Sequence, residues 1–293
     1  MSQFFSPREV ATALGVSESS LKRWVDKGLI PAQKTGGGHR RLPLDSVLRY
    51  VRRERMVLAK PEAIGLPPGT GESSAIDHAA GIEFLTALRE GDEDKSRRIL
   101  LDAFLGGEPV STICDRMVAP AFHRMGELWR CNEIEVYQER RACEVCLRVI
   151  HELRRATGSG SANAPLALGA TLDGDPYTLA VSMGEVVLRD LGWRAVSLGN
   201  MLPFETLHRA IETDRPRLMW LSVTSIRDDD RFIASFNTLF DTASSWGCAL
   251  VVGGQAFTTE LRQRLRYTTH CDTFGNLAAF AETLHPSERR GAH

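Results

Sequence analysis

A chain of 293 residues exceeds one small domain and is long enough for two or three separate cores. Hydrophobic residues make up 43% and charged residues 25%, as in globular proteins. The longest apolar runs, such as Arg217 to Val223, fall well short of the roughly 20 residues that span a bilayer. No membrane span is expected, and the start MSQFFSPREV lacks the basic and apolar segments of a secretory signal, so a cytoplasmic location is expected. Cys114, Cys131, Cys143, Cys146, Cys248 and Cys271 are then expected as reduced thiols rather than a disulfide framework. The net charge of −1 conceals an asymmetry, because residues 1–55 hold eleven Lys and Arg against five Asp and Glu. A basic module on an acidic body implies a polyanionic partner for the N-terminus.

The first element read along the chain is a short helix capped by Ser6, with Pro7 at its first position and Glu9 at its third, an arrangement that satisfies the orphan amides of the first turn. Gly15 ends it, Ser17 caps a second helix, and Gly28 terminates that one near Lys27. Val10, Leu14, Leu21, Val25 and Leu29 are expected to supply a small core, leaving Lys22 and Arg23 outward. Lys34 to Leu42 reads as a two-stranded wing, with Gly36, Gly37 and Gly38 permitting a tight turn beside His39, Arg40 and Arg41. A third helix follows, and residues 1–56 form the first domain.

Residues 59–72, AKPEAIGLPPGTGE, carry three prolines and three glycines and read as a linker, assigned to 57–74. Residues 75–157 contain almost no proline, and apolar residues recur at helical spacing, as in Ile82, Leu85, Leu88 and then Val145, Val149, Leu153, so a helical bundle is expected. A second flexible break covers Thr157 to Pro165.

Short apolar runs then alternate with amphipathic segments over 166–286: LALGATL, WRAVSLG, RLMWLSVT and ALVVGG are separated by helices, with a weak strand near Asp272 to Phe274 and a last helix to Leu284. This alternation predicts an α/β domain with a doubly wound parallel sheet. Ligands of such sheets bind beyond the carboxyl ends of the strands, which singles out the loops after Leu172, Gly199, Thr224 and Gly254.

The order helix, turn, helix ending in GLI, glycine turn, HRR and closing helix over roughly residues 3–55 resembles the MerR family of winged helix-turn-helix regulators. The resemblance implies that Ser19, Lys22 and Arg23 meet DNA from the second helix, and that Lys34, His39, Arg40 and Arg41 meet it from the wing. Trp24 falls where the family carries an aromatic near a phosphate, and it reads equally well as a core aromatic.

Further along, Trp129 with Glu139 ten positions later, GDPYTLA at Gly174 to Ala180, Ser222 and Thr224 after the third strand, and Gly253 and Gly254 after the fourth resemble the CarH-like photoreceptor repressors. These join a MerR-type head to a helical bundle and a cobalamin-binding, flavodoxin-like domain. The resemblance implies that Trp129 and Glu139 cover the upper corrin face, and that Ser222, Thr224, Gly253 and Gly254 surround a buried nucleotide tail. The chain departs from the pattern where cobalt chemistry depends on it. Tyr177, after Asp175, stands where the family offers a lower imidazole, and Arg130 and Arg140 stand where histidines follow the bundle Trp and Glu. Arginine stays protonated and does not coordinate cobalt.

The expectation is a DNA-binding regulator of the repressor type on a double-stranded operator, not an enzyme, with no cofactor. It is expected to work as a homo-oligomer through bundle and sheet domains, because one head gives too small a contact for tight binding. Three readings of the body stay open: a degenerate cobalamin fold serving assembly or a regulatory partner, a pocket for haem, bilin or another small ligand with Tyr177 as an axial group, and cobalamin held without a protein axial ligand. An enzyme component of cobalamin type is the alternative of another class. Cys143 and Cys146 share a helix face, a spacing open to a metal or redox sensor, although a complete zinc site needs about four ligands.

Overall fold

A computed structural model describes residues 3–36, 38–72, 76–158, 160–226 and 228–285. Gly37 of the wing turn, residues 73–75 at the expected linker-bundle junction and residue 286 lie outside the described residues. Two compact units divide the chain, 1–158 and 159–293.

The first unit opens with β1 (Phe4–Phe5), α1 (Pro7–Leu14), α2 (Glu18–Asp26), β2 (Gln33–Lys34), β3 (Arg40–Pro43) and α3 (Leu44–Glu54). Ser6 and Glu9 form the reciprocal capping box, and Ser17 accepts from the Ser20 amide at 3.1 Å. Gly15 and Gly28 sit at φ +66° and +72°, the left-handed turns that stop both helices. The wing has a third strand that the sequence did not announce: β3 lies between β1 and β2, with Phe5 opposite Leu42 and Lys34 opposite Arg40. The head core also differs from the expected set, because Leu29 is 38% exposed, Val25 is half-buried and Ile30 is fully buried.

The expected linker is a packed strap rather than a spacer. A 3-10 turn at Pro61–Ile64 packs against α1, and Leu58, Ile64, Leu66 and Thr70 are buried. Prolines exclude regular helix here, yet the apolar residues between them still drive the segment onto the body. Head, strap and bundle therefore form one unit.

The bundle consists of α4 (His78–Glu90), α5 (Glu93–Leu105), the short α6 (Val110–Ile113), a π turn at Cys114–Val118, α7 (Ala119–Arg130) and α8 (Val136–Thr157). Val145, Val149 and Leu153 are buried as their spacing requires, whereas Ile82 faces solvent and Phe84 and Leu88 carry the α4 core. The head docks on this bundle through α3, which packs against α5 and α8. Arg52 of α3 donates to the Glu108 carbonyl at 2.6 Å and lies 4.2 Å from the Phe104 ring centre.

The second unit is built from β4 (Leu166–Thr171), α9 (Leu179–Asp190), β5 (Arg194–Ser197), α10 (Phe204–Asp214), β6 (Leu218–Ser222), α11 (Asp229–Ser245), β7 (Ala249–Gly253), α12 (Thr259–Arg264), β8 (Thr269–His270) and α13 (Phe274–Leu284). All strand pairs are parallel in the order β5-β4-β6-β7-β8. The weak strand expected at 272–274 lies at 269–270, because Thr273 caps α13 instead, its hydroxyl accepting from the Asn276 amide. Leu168, Ala170, Met219, Leu221, Leu250 and Val252 meet α10, α11 and α12 on one face, and α9 with α13 covers the other. Helices on both faces explain why these strands read as unbroken apolar runs.

Candidate functional site

In the head, Ser19, Lys22 and Arg23 are exposed on α2, and Lys34, His39 and Arg41 are exposed on the wing. Lys22 pairs with Glu18 one turn away at 2.8 Å, and its ammonium holds the Glu18 carboxyl below the usual range. Side chains alternate along β3, so Leu42 and Arg40 turn toward the head and Arg41 turns away. Arg40 accordingly places Nη2 2.5 Å from Asp26 Oδ1 at the end of α2. Asp26 is a residue that sequence reasoning missed, and its charge opposite the wing arginines was the available signal. Trp24 is half-buried and stacks obliquely on Tyr50 of α3 with ring centres 5.3 Å apart, the packing expected of a core aromatic. The wing turn is closed by the Thr35 amide to the His39 carbonyl at 2.9 Å, with Gly38 at φ +79°.

The second candidate set divides between the units. In the first unit, Trp129 at the end of α7 is 50% exposed, and Val136 and Tyr137 at the start of α8 are exposed as well. Glu139 accepts from the Cys143 thiol at 3.3 Å and lies 3.5 Å from Arg140 Nε, while Arg130 donates to the Gly126 carbonyl at 3.3 Å. Burial and the Glu139 carboxylate push the Cys143 thiol up to about 12, and burial pushes Cys146 higher still. Burial thus holds both thiols toward the protonated form, which slows their reaction as nucleophiles. Among the described residues, no three His, Cys, Asp or Glu side chains are grouped to hold a metal ion.

In the second unit, the loop after β4 is tied to its neighbours. Asp175 is fully buried, accepting from the Tyr177 amide at 3.1 Å and from the Thr224 amide at 2.5 Å. Thr171, also missed in the sequence, donates to the Asp175 carbonyl at 2.5 Å and accepts from the Met201 amide at 3.0 Å. Asn200 donates to the Pro176 carbonyl and Ser225 to the Gly174 carbonyl, so three loops at the carboxyl edge of the sheet are latched together. The Tyr177 side chain is 39% exposed rather than filling a core pocket. The two strand-end glycines face the protein's own chain: a Cβ on Gly253 would stand 2.6 Å from the Cys271 carbonyl oxygen, and one on Gly254, at φ +113°, would stand 2.3 Å from that of Val223.

The fold is that of a winged helix-turn-helix head followed by a helical bundle and a doubly wound α/β domain of cobalamin-binding type. Residues 4–55 match the family described as helix-turn-helix domain, and residues 83–154 match the B12 binding domain. The chain is 25% identical over 263 residues to the HTH-type transcriptional repressor CarH of Myxococcus xanthus, with 84% of this chain and 87% of that protein covered. It is similar in fold to the monomethylamine corrinoid protein of Methanosarcina barkeri, with a TM-score of 0.57 at 14% identity, covering 70% of this chain and 98% of the other. These similarities support a DNA-binding regulator with a cobalamin-binding-type region. No helix among the described residues is long and apolar enough to cross a membrane.

Proposed function

We propose that this chain is a transcriptional repressor that grips double-stranded DNA with Ser19, Lys22, Arg23, Lys34, His39 and Arg41, and that its body holds no cobalamin through histidine. The observation that carries the first half is the shared exposure of the α2 and wing cations in a head whose helix-turn-helix is closed by its own caps. Arg23 and Arg41 act on phosphates, so Arg23→Ala and Arg41→Ala are each expected to weaken binding to any duplex and to lower the slope of log affinity against log salt by about 1. Unchanged slopes in both variants would remove these residues from the interface.

The second half rests on donor chemistry. Tyr177, Arg130 and Arg140 stand at the three positions where the family's pattern has imidazoles, and the Tyr177 amide is already engaged by Asp175. The residues present do not fit a corrinoid clasped by a protein nitrogen. The body then serves assembly, a homo-oligomer bringing several heads to one operator. Purified protein incubated with adenosylcobalamin and desalted is expected to show no corrin absorption, and a stoichiometric corrin spectrum would defeat this reading.

A further inference from the structure

Residues facing α9 from β4 are small, whereas β6 and β7 present Trp220 and Val251 on the same sheet face. Ala167, Gly169 and Thr171 lie on this side of β4, and Gly169 pairs in register with Trp220. The Trp220 indole lies across the gap. A Cβ added to Gly169 would stand 1.9 Å from Trp220 Cε2 and 2.2 Å from Cζ2, so the ring lies directly over the glycine backbone. On the opposite side, a Cβ added to Gly184 of α9 would stand 2.7 Å from Trp220 Nε1. The ring is thus sandwiched between a strand glycine and a helix glycine, with Nε1 donating to the Val181 carbonyl at 3.2 Å and only 4% of the residue exposed. Ser222, two residues on and on the same sheet face, pairs with Thr171 and Gly253, so the indole lies directly below the strand-end residues of the second candidate set.

We infer that Trp220 is the resident occupant of a flat slot between β4, β6 and α9, a slot shaped for a fused bicyclic heteroaromatic ring. Indole and benzimidazole share this shape, a five-membered ring fused to a six-membered one with one edge N–H. The chain fills the slot with its own side chain, the second unit is built in a ring-filled form without ligand, and the benzimidazole base of a nucleotide tail finds no room. This goes beyond the missing imidazoles: it closes the route by which a corrinoid would be held through its tail, whether or not cobalt has a protein ligand.

The test uses the full-length chain. Wild-type protein is titrated with aquocobalamin and with cobinamide, which lacks the nucleotide tail, and the Trp220→Ala variant is heated with and without 5,6-dimethylbenzimidazole. Wild type is expected to show no preference for the tailed corrinoid, and Trp220→Ala is expected to lose thermal stability and regain part of it, saturably, with the free base, as apolar cavities of matched shape do with flat aromatics. Wild-type melting is expected to ignore the base. A wild-type affinity for cobalamin about tenfold or more above that for cobinamide overturns the inference, as does a folded Trp220→Ala that the base does not stabilise. Should Trp220→Ala fail to fold, Trp220→Leu takes its place under the same criterion, beside the wild-type comparison. Equal binding of both corrinoids by wild type would defeat the proposed absence of cofactor while leaving the filled slot standing.

Discussion

Arg40 of the wing and Asp26 at the end of α2 form an ion pair of 2.5 Å that ties the wing to the helix beside it. The pair masks one wing cation that the sequence assigned to DNA, so Arg40 positions the wing and Arg41 carries the outward charge. Asp26→Ala is expected to release Arg40 and to steepen the salt dependence of duplex binding by about 1 unit of slope. Stability should change by under about 1 kcal/mol, since both partners are solvent-accessible. Fluorescence anisotropy with a labelled duplex across a salt series reads the slope, and no change would show that Arg40 points away from DNA in the complex.

The core of the head distinguishes two adjacent residues that pattern alone does not. Ile30 is fully buried and Leu29 is 38% exposed. Ile30→Ala is expected to cost about 2–5 kcal/mol, while Leu29→Ala should cost under about 1 kcal/mol. Urea unfolding of the two variants measures this, and equal costs would place Leu29 in the core after all.

Much of this architecture was legible because local signals agreed with global ones. Ser6, Glu9, Gly15, Ser17 and Gly28 mark both helix ends of the head, and the four long apolar runs of the second unit became β4 to β7 in a parallel sheet. Local pattern failed where tertiary contact decides. The strap from Leu58 to Thr70 reads as a linker by its prolines, yet it is buried by surfaces distant in sequence. Whether Leu29 or Ile30 turns inward depends on how the chain leaves Gly28, which no periodicity records. Trp220 illustrates the hardest case: its partner glycines, Gly169 and Gly184, are far away in sequence, and only strand register brings the three together. Reading β4 against β6 side by side would have exposed the glycine opposite the tryptophan.

Cysteine reactivity offers a check on the bundle. Cys131 is exposed, Cys143 is raised to about 12, and Cys114, Cys146 and Cys248 are buried, with Cys248 also raised to about 12 by burial. Thiolate is the reactive form. Native protein treated with iodoacetamide at mildly alkaline pH is therefore expected to label Cys131 first and Cys143 slowly, as followed by peptide mass mapping. Rapid labelling of Cys143 and Cys146 together would restore the thiol-sensor reading.

Asp102 of α5 holds the strap. Its Oδ1 accepts the Gly71 amide at 2.5 Å, and burial pushes its carboxyl up to about 6, with Glu72 and Glu83 adding to the rise and the Gly71 hydrogen bond and Arg98 opposing it. A folded-state value above the unfolded one of about 3.9 means that the fold favours the protonated form. The stability this contributes is complete below that unfolded value and is lost as pH climbs through about 6. Asp102→Asn keeps a carbonyl oxygen for Gly71 and removes the titration. Relative to the wild type, it should therefore gain on the order of 1 kcal/mol between acidic and neutral pH. Urea midpoints of both proteins measured on either side of that range give the difference directly. Parallel pH profiles would mean that water reaches Asp102 and that the strap is not clamped by a desolvated carboxyl.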